Sequence, residues 1–143
     1  MKNRLFITET DFEKLRSLVE GRRGAHFSDF EYLDTLEQEL DDAEIVEPHA
    51  IPSDVITMNS QARLKDLDSG EEKVYRLVFP DTFRGENRVS ILAPIGTAML
   101  AYRTGDVIEW HVPRGLRRLK VVEVLYQPEA AGVMEWRVLT AVS

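Results

Sequence analysis

At 143 residues, 43% hydrophobic and 30% charged, the chain has the composition of a globular domain with apolar material for a core of its own. It has no cysteine for a disulfide or thiolate metal site, no apolar run near the ~18–20 residues of a membrane helix, and a first apolar stretch too short for a signal peptide. Its net charge of −7 lies in the first third, where residues 1–50 hold 13 acids against 6 bases while the rest balances at 12 of each; this argues against direct nucleic-acid binding, which needs Lys and Arg against phosphate.

Thr10 and Glu13 have the spacing of a capping box for a first helix in which Phe12, Leu15, Leu18 and Val19 share a face. Gly21 and Gly24 are expected to end it. Ser28 with Glu31 repeats the capping pattern, and Phe30, Leu33, Leu36, Leu40 and Ala43 follow as an apolar seam of coiled-coil type. Between Ser28 and Glu47 lie nine acids and no base, mostly off that seam, which a solvated helix face explains. Residues 1–50 thus read as a short acidic helical hairpin, about 17 Å along its first helix and about 28 Å along its second.

Residues 51–143 read as a β-rich unit. Val55–Met58 and Ala62–Leu67 are candidate strands, and Asp68-Ser69-Gly70 is a turn. Tyr75, Leu77 and Phe79 alternate with Val74, Arg76 and Val78, and Val89–Leu92 forms another short strand. Pro94 suits the first turn of a helix in which Ile95, Ala98, Met99 and Tyr102 share a face, with Thr104-Gly105-Asp106 as its stop. Ile108, Trp110 and Val112 alternate with Glu109 and His111, and Leu119–Tyr126 makes the last long strand after a Pro113-Arg114-Gly115 turn. The expected fold class is α+β: the hairpin, then an antiparallel sheet wrapped round one helix.

Catalytic patterns are missing. His26, His49 and His111 have no metal-ligand spacing, and neither a phosphate-cradling glycine loop nor a G-x-S-x-G elbow occurs. Tyr75, Phe79, Phe83, Trp110 and Tyr126 fit core positions of strands better than a pocket. The residues alone indicate a binding module with no enzymatic activity, no cofactor and no metal.

One stretch is more specific. S-I-L-A-P-I-G-T-A-M-L-A-Y-R-T-G-D-V-I-E-W, Ser90 to Trp110, resembles the C-terminal domain of the GreA/GreB transcript-cleavage factors. D-V-I-T-M-N-S (Asp54 to Ser60) and Y-Q-P-E-A-A-G (Tyr126 to Gly132) are similar to signatures of the Rnk branch, the regulators of nucleoside diphosphate kinase, as is the short hairpin. The resemblance implies an FKBP-like domain from about residue 51, without prolyl isomerase activity. It further implies docking on the largest-subunit coiled coil of RNA polymerase, at the rim of the secondary channel, by a monomeric cytoplasmic regulator. The contact would fall on Leu92, Ala93, Pro94, Ile95, Gly96 and Met99. Ala93 stands where the family has a serine, and Leu92 where some members have an acid, so an apolar contact would replace a charged one.

In the Gre factors a longer hairpin carries acids at its tip that help hold a catalytic metal. Here the tip, Gly21-Arg22-Arg23-Gly24-Ala25-His26, has no carboxylate, and arginine cannot supply the oxygen ligands that Mg²⁺ requires. The expectation is a competitor of Gre-type factors that does not cleave transcripts and affects the kinase indirectly. Arg22, Arg23 and His26 either touch an acidic polymerase surface or face water. The alternatives are a true cleavage factor using Asp29 or Glu31, and a direct regulator of the kinase. The tail, Val133 to Ser143, offers Trp136, Val138 and Leu139 as a strand to cover a sheet edge.

Overall fold

The computed structural model describes residues 4–23, 31–80, 87–112 and 115–132, excepting the side chains of residues 22, 23, 31–33 and 110–112. Gly24, His26, Ser28, Asp29, Phe30, Phe83, Pro113, Arg114 and the tail with Trp136, Val138 and Leu139 lie outside the described residues, as do the expectations placed on them.

The first helix, α1 (Glu9–Arg23), is capped by Thr8 rather than Thr10. The Thr8 hydroxyl accepts the Asp11 N–H at 3.3 Å, and the Thr8 carbonyl accepts the Phe12 N–H at 2.9 Å. The sequence offers two Thr-x-x-acid frames two residues apart. The earlier one prevails because the preceding strand β1 (Phe6–Ile7) pairs in parallel with β2 (Glu44–Ile45), so the chain turns helical immediately after it. Gly21 lies inside α1, not past its end, and the helix reaches about 22 Å. The second helix, α2 (Glu31–Asp41), gives way to β2 before Glu47, and its described part spans about 16 Å.

The remaining strands are β3 (Gln61–Asp66), β4 (Glu72–Val78), β5 (Arg88–Ser90), β6 (Val107–Val112) and β7 (Gly115–Tyr126), joined in the order β5-β4-β3-β7-β6. The sheet is mixed rather than antiparallel throughout, since β5 runs parallel to β4 with Leu77 opposite Val89. That register sets two buried apolar residues side by side on the edge. β3 shows the expected alternation, with Ala62, Leu64 and Asp66 inward and Gln61, Arg63 and Lys65 outward. The turn after it is held by Asp66, whose Oδ1 accepts the N–H groups of Asp68 and Ser69, and by Gly70 at φ 79°.

Val55–Met58 is not a strand of this sheet. All four residues are buried without alternation, and only Val55 makes a bridge, to Arg103. The segment instead bonds through Ile56 to Ala101 and Tyr102, just past the helix α3 (Pro94–Met99). This helix is shorter than the apolar pattern suggests: Leu100 leaves helical geometry at ψ 133°, Ala101 follows at φ 76°, and Tyr102 belongs to the exit segment. The turn at Thr104–Asp106 then stands apart from the helix, closed by the Arg103 N–H donating to Asp106 Oδ2 at 2.9 Å. β7 begins four residues before the expected Leu119, because Gly115 already pairs with Val112 in the β6–β7 hairpin. A final one-turn helix, α4 (Pro128–Ala131), follows β7, so the sheet unit carries more than one helix.

Hairpin and sheet share one core. Leu15, Val19, Leu36 and Leu40 from the helices cluster with Leu64 and Leu77 from the sheet and Met99 from α3. Burial of such side chains contributes about 1.5–3 kcal/mol each before the entropy of ordering is set against it. The Lys14 ammonium also lies 5.3 Å from the ring centre of Phe79, just beyond β4.

Candidate docking site

Between β5 and α3 the chain makes a tight corner. The Ala93 N–H donates to the Ser90 carbonyl at 2.9 Å, and the Leu92 N–H donates to Ser90 Oγ at 3.1 Å. Ala93 caps α3 in an extended conformation (φ −78°, ψ 147°) without a side-chain bond, and Pro94 takes the first turn, where a missing N–H costs nothing. Thr97 then ties the helix back to the strand: its hydroxyl donates to the Ile91 carbonyl at 2.6 Å from a buried position. Gly96 fits only because it has no Cβ, since an added one would sit 2.0 Å from the Ser90 carbonyl oxygen.

These bonds decide which of the expected contact residues can touch anything. Pro94 is exposed, and Leu92, Ala93 and Ile95 are half-buried. Met99 is fully buried and Gly96 is pressed against Ser90, so neither offers a surface; they belong under the corner, not on it. Ala98, which the sequence pattern assigns to the core face, is partly buried and packs against the core, as Leu92 and Ile95 do. From Ser90 to Tyr102 no residue is charged. Burial first, and then the carboxylates of Glu39, Asp106 and Glu109, push the Tyr102 phenol up, which keeps it neutral. The corner can therefore offer apolar shape but no ionic contact.

Among the described residues a cavity of about 40 Å³ lies between Leu64, Tyr75 and Leu119, with room for water-sized molecules only. Beside it Arg117 donates to Asp66 Oδ2, and the backbone bonds from Asp68 and Ser69, followed by that guanidinium, hold the Asp66 carboxyl below its usual range. Among the described residues no group of three or more His, Asp or Glu side chains is placed to hold a metal ion. Arg22 and Arg23 form the end of α1.

Sequence reasoning missed the polar residues that shape the site. Ser90 and Thr97 look like ordinary small polar residues in an apolar stretch, and only their partners in space give them a role. The spacing of a serine two residues before a turn N–H is a usable local signal; the Thr97 bond to Ile91 has none.

This fold is that of a family of transcription factors. The chain belongs to the GreA/GreB family: residues 51–126 match the model "Transcription elongation factor, GreA/GreB, C-term", and residues 3–46 match the Rnk N-terminus. It is 38% identical over 130 residues to the regulator of nucleoside diphosphate kinase of Escherichia coli K12, covering 90% of this chain and 93% of that one. It is 34% identical over 93 residues to the GreA elongation factor of Chloroherpeton thalassium, covering 64% of this chain and 59% of that factor. A solved GreA/GreB elongation factor from Nitrosomonas europaea superposes with a TM-score of 0.73 at 40% identity, covering 87% of this chain and all of that one. The relationship makes this protein a transcription-related regulator. No helix among the described residues is long and apolar enough to cross a membrane.

Proposed function

We propose that the protein is a non-enzymatic regulator that binds RNA polymerase at the rim of the secondary channel and competes there with Gre-type factors. The observation that carries this reading is the Ser90–Ile95 corner: rigid, uncharged, and led by an exposed Pro94 in a chain of the GreA/GreB family. Leu92, Ala93, Pro94 and Ile95 make the contact on the largest-subunit coiled coil, while Gly96 and Met99 support it from below. Residues 1–50 act as a short coiled-coil plug beside an FKBP-like domain from residue 51. Transcript cleavage is not part of the function, because residues 21–26 carry no carboxylate to hold a metal. The protein works as a cytoplasmic monomer, and any effect on nucleoside diphosphate kinase runs through transcription.

The test is competition for core RNA polymerase against a labelled Gre factor. Wild-type protein is expected to displace the factor, and Pro94→Asp, changed at an exposed position, to stay folded and fail to displace it. Shortening of transcripts in stalled complexes would instead establish a cleavage factor. Lack of displacement by the folded wild type would overturn the polymerase reading. Direct contact with the kinase, which the name of the Escherichia coli relative favours as a second reading, would then be measured with the purified enzyme.

A further inference from the structure

The two segments that carry the Rnk-like signatures, Asp54 to Ser60 and Tyr126 to Gly132, take no part in the docking corner, yet they meet in space. Gln127, itself buried, donates from Nε2 to the carbonyls of Pro52 at 2.7 Å and Val55 at 2.8 Å. Two residues on, Glu129 Oε1 accepts the Thr57 hydroxyl at 2.7 Å. Thr57 has one hydroxyl proton, so the 2.8 Å contact between its Oγ1 and Ser60 Oγ is made by the Ser60 proton. Ser60 Oγ in turn accepts the Thr57 N–H at 2.9 Å. The result is a closed chain of hydrogen bonds from backbone to carboxylate. Both hydroxyl residues are buried, where each bond left unmade would cost more than in water.

The far side of the same loop grips the exit of α3. The Ile56 N–H donates to the Tyr102 carbonyl at 2.8 Å, and the Ile56 carbonyl accepts the Ala101 N–H at 3.0 Å. Thr104 N–H adds a bond to the Asp54 carbonyl at 3.0 Å. Ala101 sits at φ 76°, a conformation that disfavours an L-residue with a side chain and persists when its surroundings impose it. Among those surroundings are the two bonds that join Ile56 to Ala101 and to Tyr102. Through the Thr97–Ile91 bond the same short helix sets the corner at Leu92–Ile95.

We infer that Gln127, Glu129 and Thr57 are positioning residues for the docking corner. They clamp the 52–60 loop so that Ile56 fixes the end of α3. Gln127 and Glu129 lie just past residue 126, where the match to the GreA/GreB C-terminal model ends, while their partners Pro52, Val55 and Thr57 lie within it. That the clamp's purpose is polymerase docking rests on the function proposed above. The mechanical coupling from Glu129 to Ala101 does not.

Two readouts on the full chain separate these layers: amide hydrogen exchange by NMR, and affinity for core RNA polymerase. In Glu129→Ala and Thr57→Val, the Ala101 amide is expected to exchange about tenfold faster, the scale of one lost charge-assisted bond, while amides in the β3–β4 ladder keep their protection. Polymerase affinity is expected to drop severalfold in the same variants. Glu129→Gln and Thr57→Ser, which retain an acceptor and a hydroxyl, restore both. A Leu64→Val variant, destabilised in the centre of the sheet, serves as control. Unchanged exchange at Ala101 in Glu129→Ala would overturn the coupling whatever the polymerase result. Equal loss of binding in Leu64→Val would overturn a positioning role, leaving only general stability. If wild type fails to bind polymerase while Ala101 still responds, the proposed partner is wrong and the clamp stands.

Discussion

The hairpin and the sheet unit solve the same problem of burial with unequal means. The sheet unit closes its core from both sides, with β3 alternating cleanly between buried and outward residues and α3 lying against it. Among the described residues the hairpin's largest fully buried side chains are Leu15, Val19, Leu36 and Leu40, and its ion pairs lie at the surface. Its ion pairs, Arg16–Asp41 at 2.8 Å and Arg4–Glu44 at 3.5 Å, involve exposed carboxylates that contribute little. Helices of this length are marginal in isolation. The hairpin is therefore stable because it shares the sheet unit's core, and its direction relative to the docking corner is set by that shared packing.

The comparison breaks first at the largest buried side chains. Leu15→Ala in α1 and Leu64→Ala in β3 are each expected to cost about 2–5 kcal/mol of global stability, read as a shift in the urea midpoint. Both residues sit in one contiguous cluster, so both variants should unfold in a single transition. If Leu15→Ala instead produced a separate early transition by helix-sensitive circular dichroism, the hairpin would be an independent unit.

Glycine substitutions sharpen the contrast. Gly96→Ala would drive a methyl into the Ser90 carbonyl, at 2.0 Å, and is expected to lose roughly 1–3 kcal/mol or more because backbone must shift. Gly70→Ala meets no atom within 4 Å, but its φ of 79° strains any side chain, at a cost of about 1 kcal/mol. Gly21→Ala also meets nothing within 4 Å, and it lies inside α1 in ordinary helical geometry. It should raise stability by about 0.5–1 kcal/mol. In the sheet unit glycines answer to tertiary geometry; in the hairpin this one merely weakens a helix. Thermal midpoints of the three variants, ordered in this way, would bear that out, and a stabilising Gly96→Ala would contradict the corner geometry.

Much of this was legible from local pattern, and the misses share one cause. Period and spacing located α1, α2, β3, β4, β6 and the Pro94 helix start because each has a repeating apolar signal or a turn residue of its own. What escaped depends on contacts between distant residues. The helix cap at Thr8 is chosen by a strand pair with residue 44, the parallel placement of β5 by Leu77 meeting Val89, and the end of α3 by Ile56 holding Ala101. Val55–Met58 reads as a strand because every side chain in it is apolar or β-branched; burial on all sides erases the alternation that would mark a sheet position. At the docking corner the sequence located the segment but not which of its side chains face outward. The helical period already put Met99 on the apolar face, whereas Gly96 falls on the same stretch as Pro94 with no such signal, and its close approach to Ser90 shows only in space.

The smallest expected effect separates the two titrating carboxyls of the sheet unit by sign. Asp66 has its carboxyl pulled below 3.8 by the backbone bonds from Asp68 and Ser69 and by Arg117. Its native state thus binds fewer protons than the unfolded chain near and below that value. The stability it provides is full above 3.8 and is lost as pH falls through the lowered folded value. Glu129 is the reverse case: burial pushes its carboxyl above 4.5, against the opposing bond from Thr57. The native state takes up this proton first, so folding gains as pH falls from above the raised value to 4.5. Urea midpoints measured in half-unit steps from neutral pH downward should show, relative to wild type, a lost gain above 4.5 in Glu129→Gln and a lost decline below 3.8 in Asp66→Asn. Parallel curves for Glu129→Gln and wild type above 4.5 would mean that the Thr57 hydrogen bond offsets the whole cost of burying the clamp carboxylate.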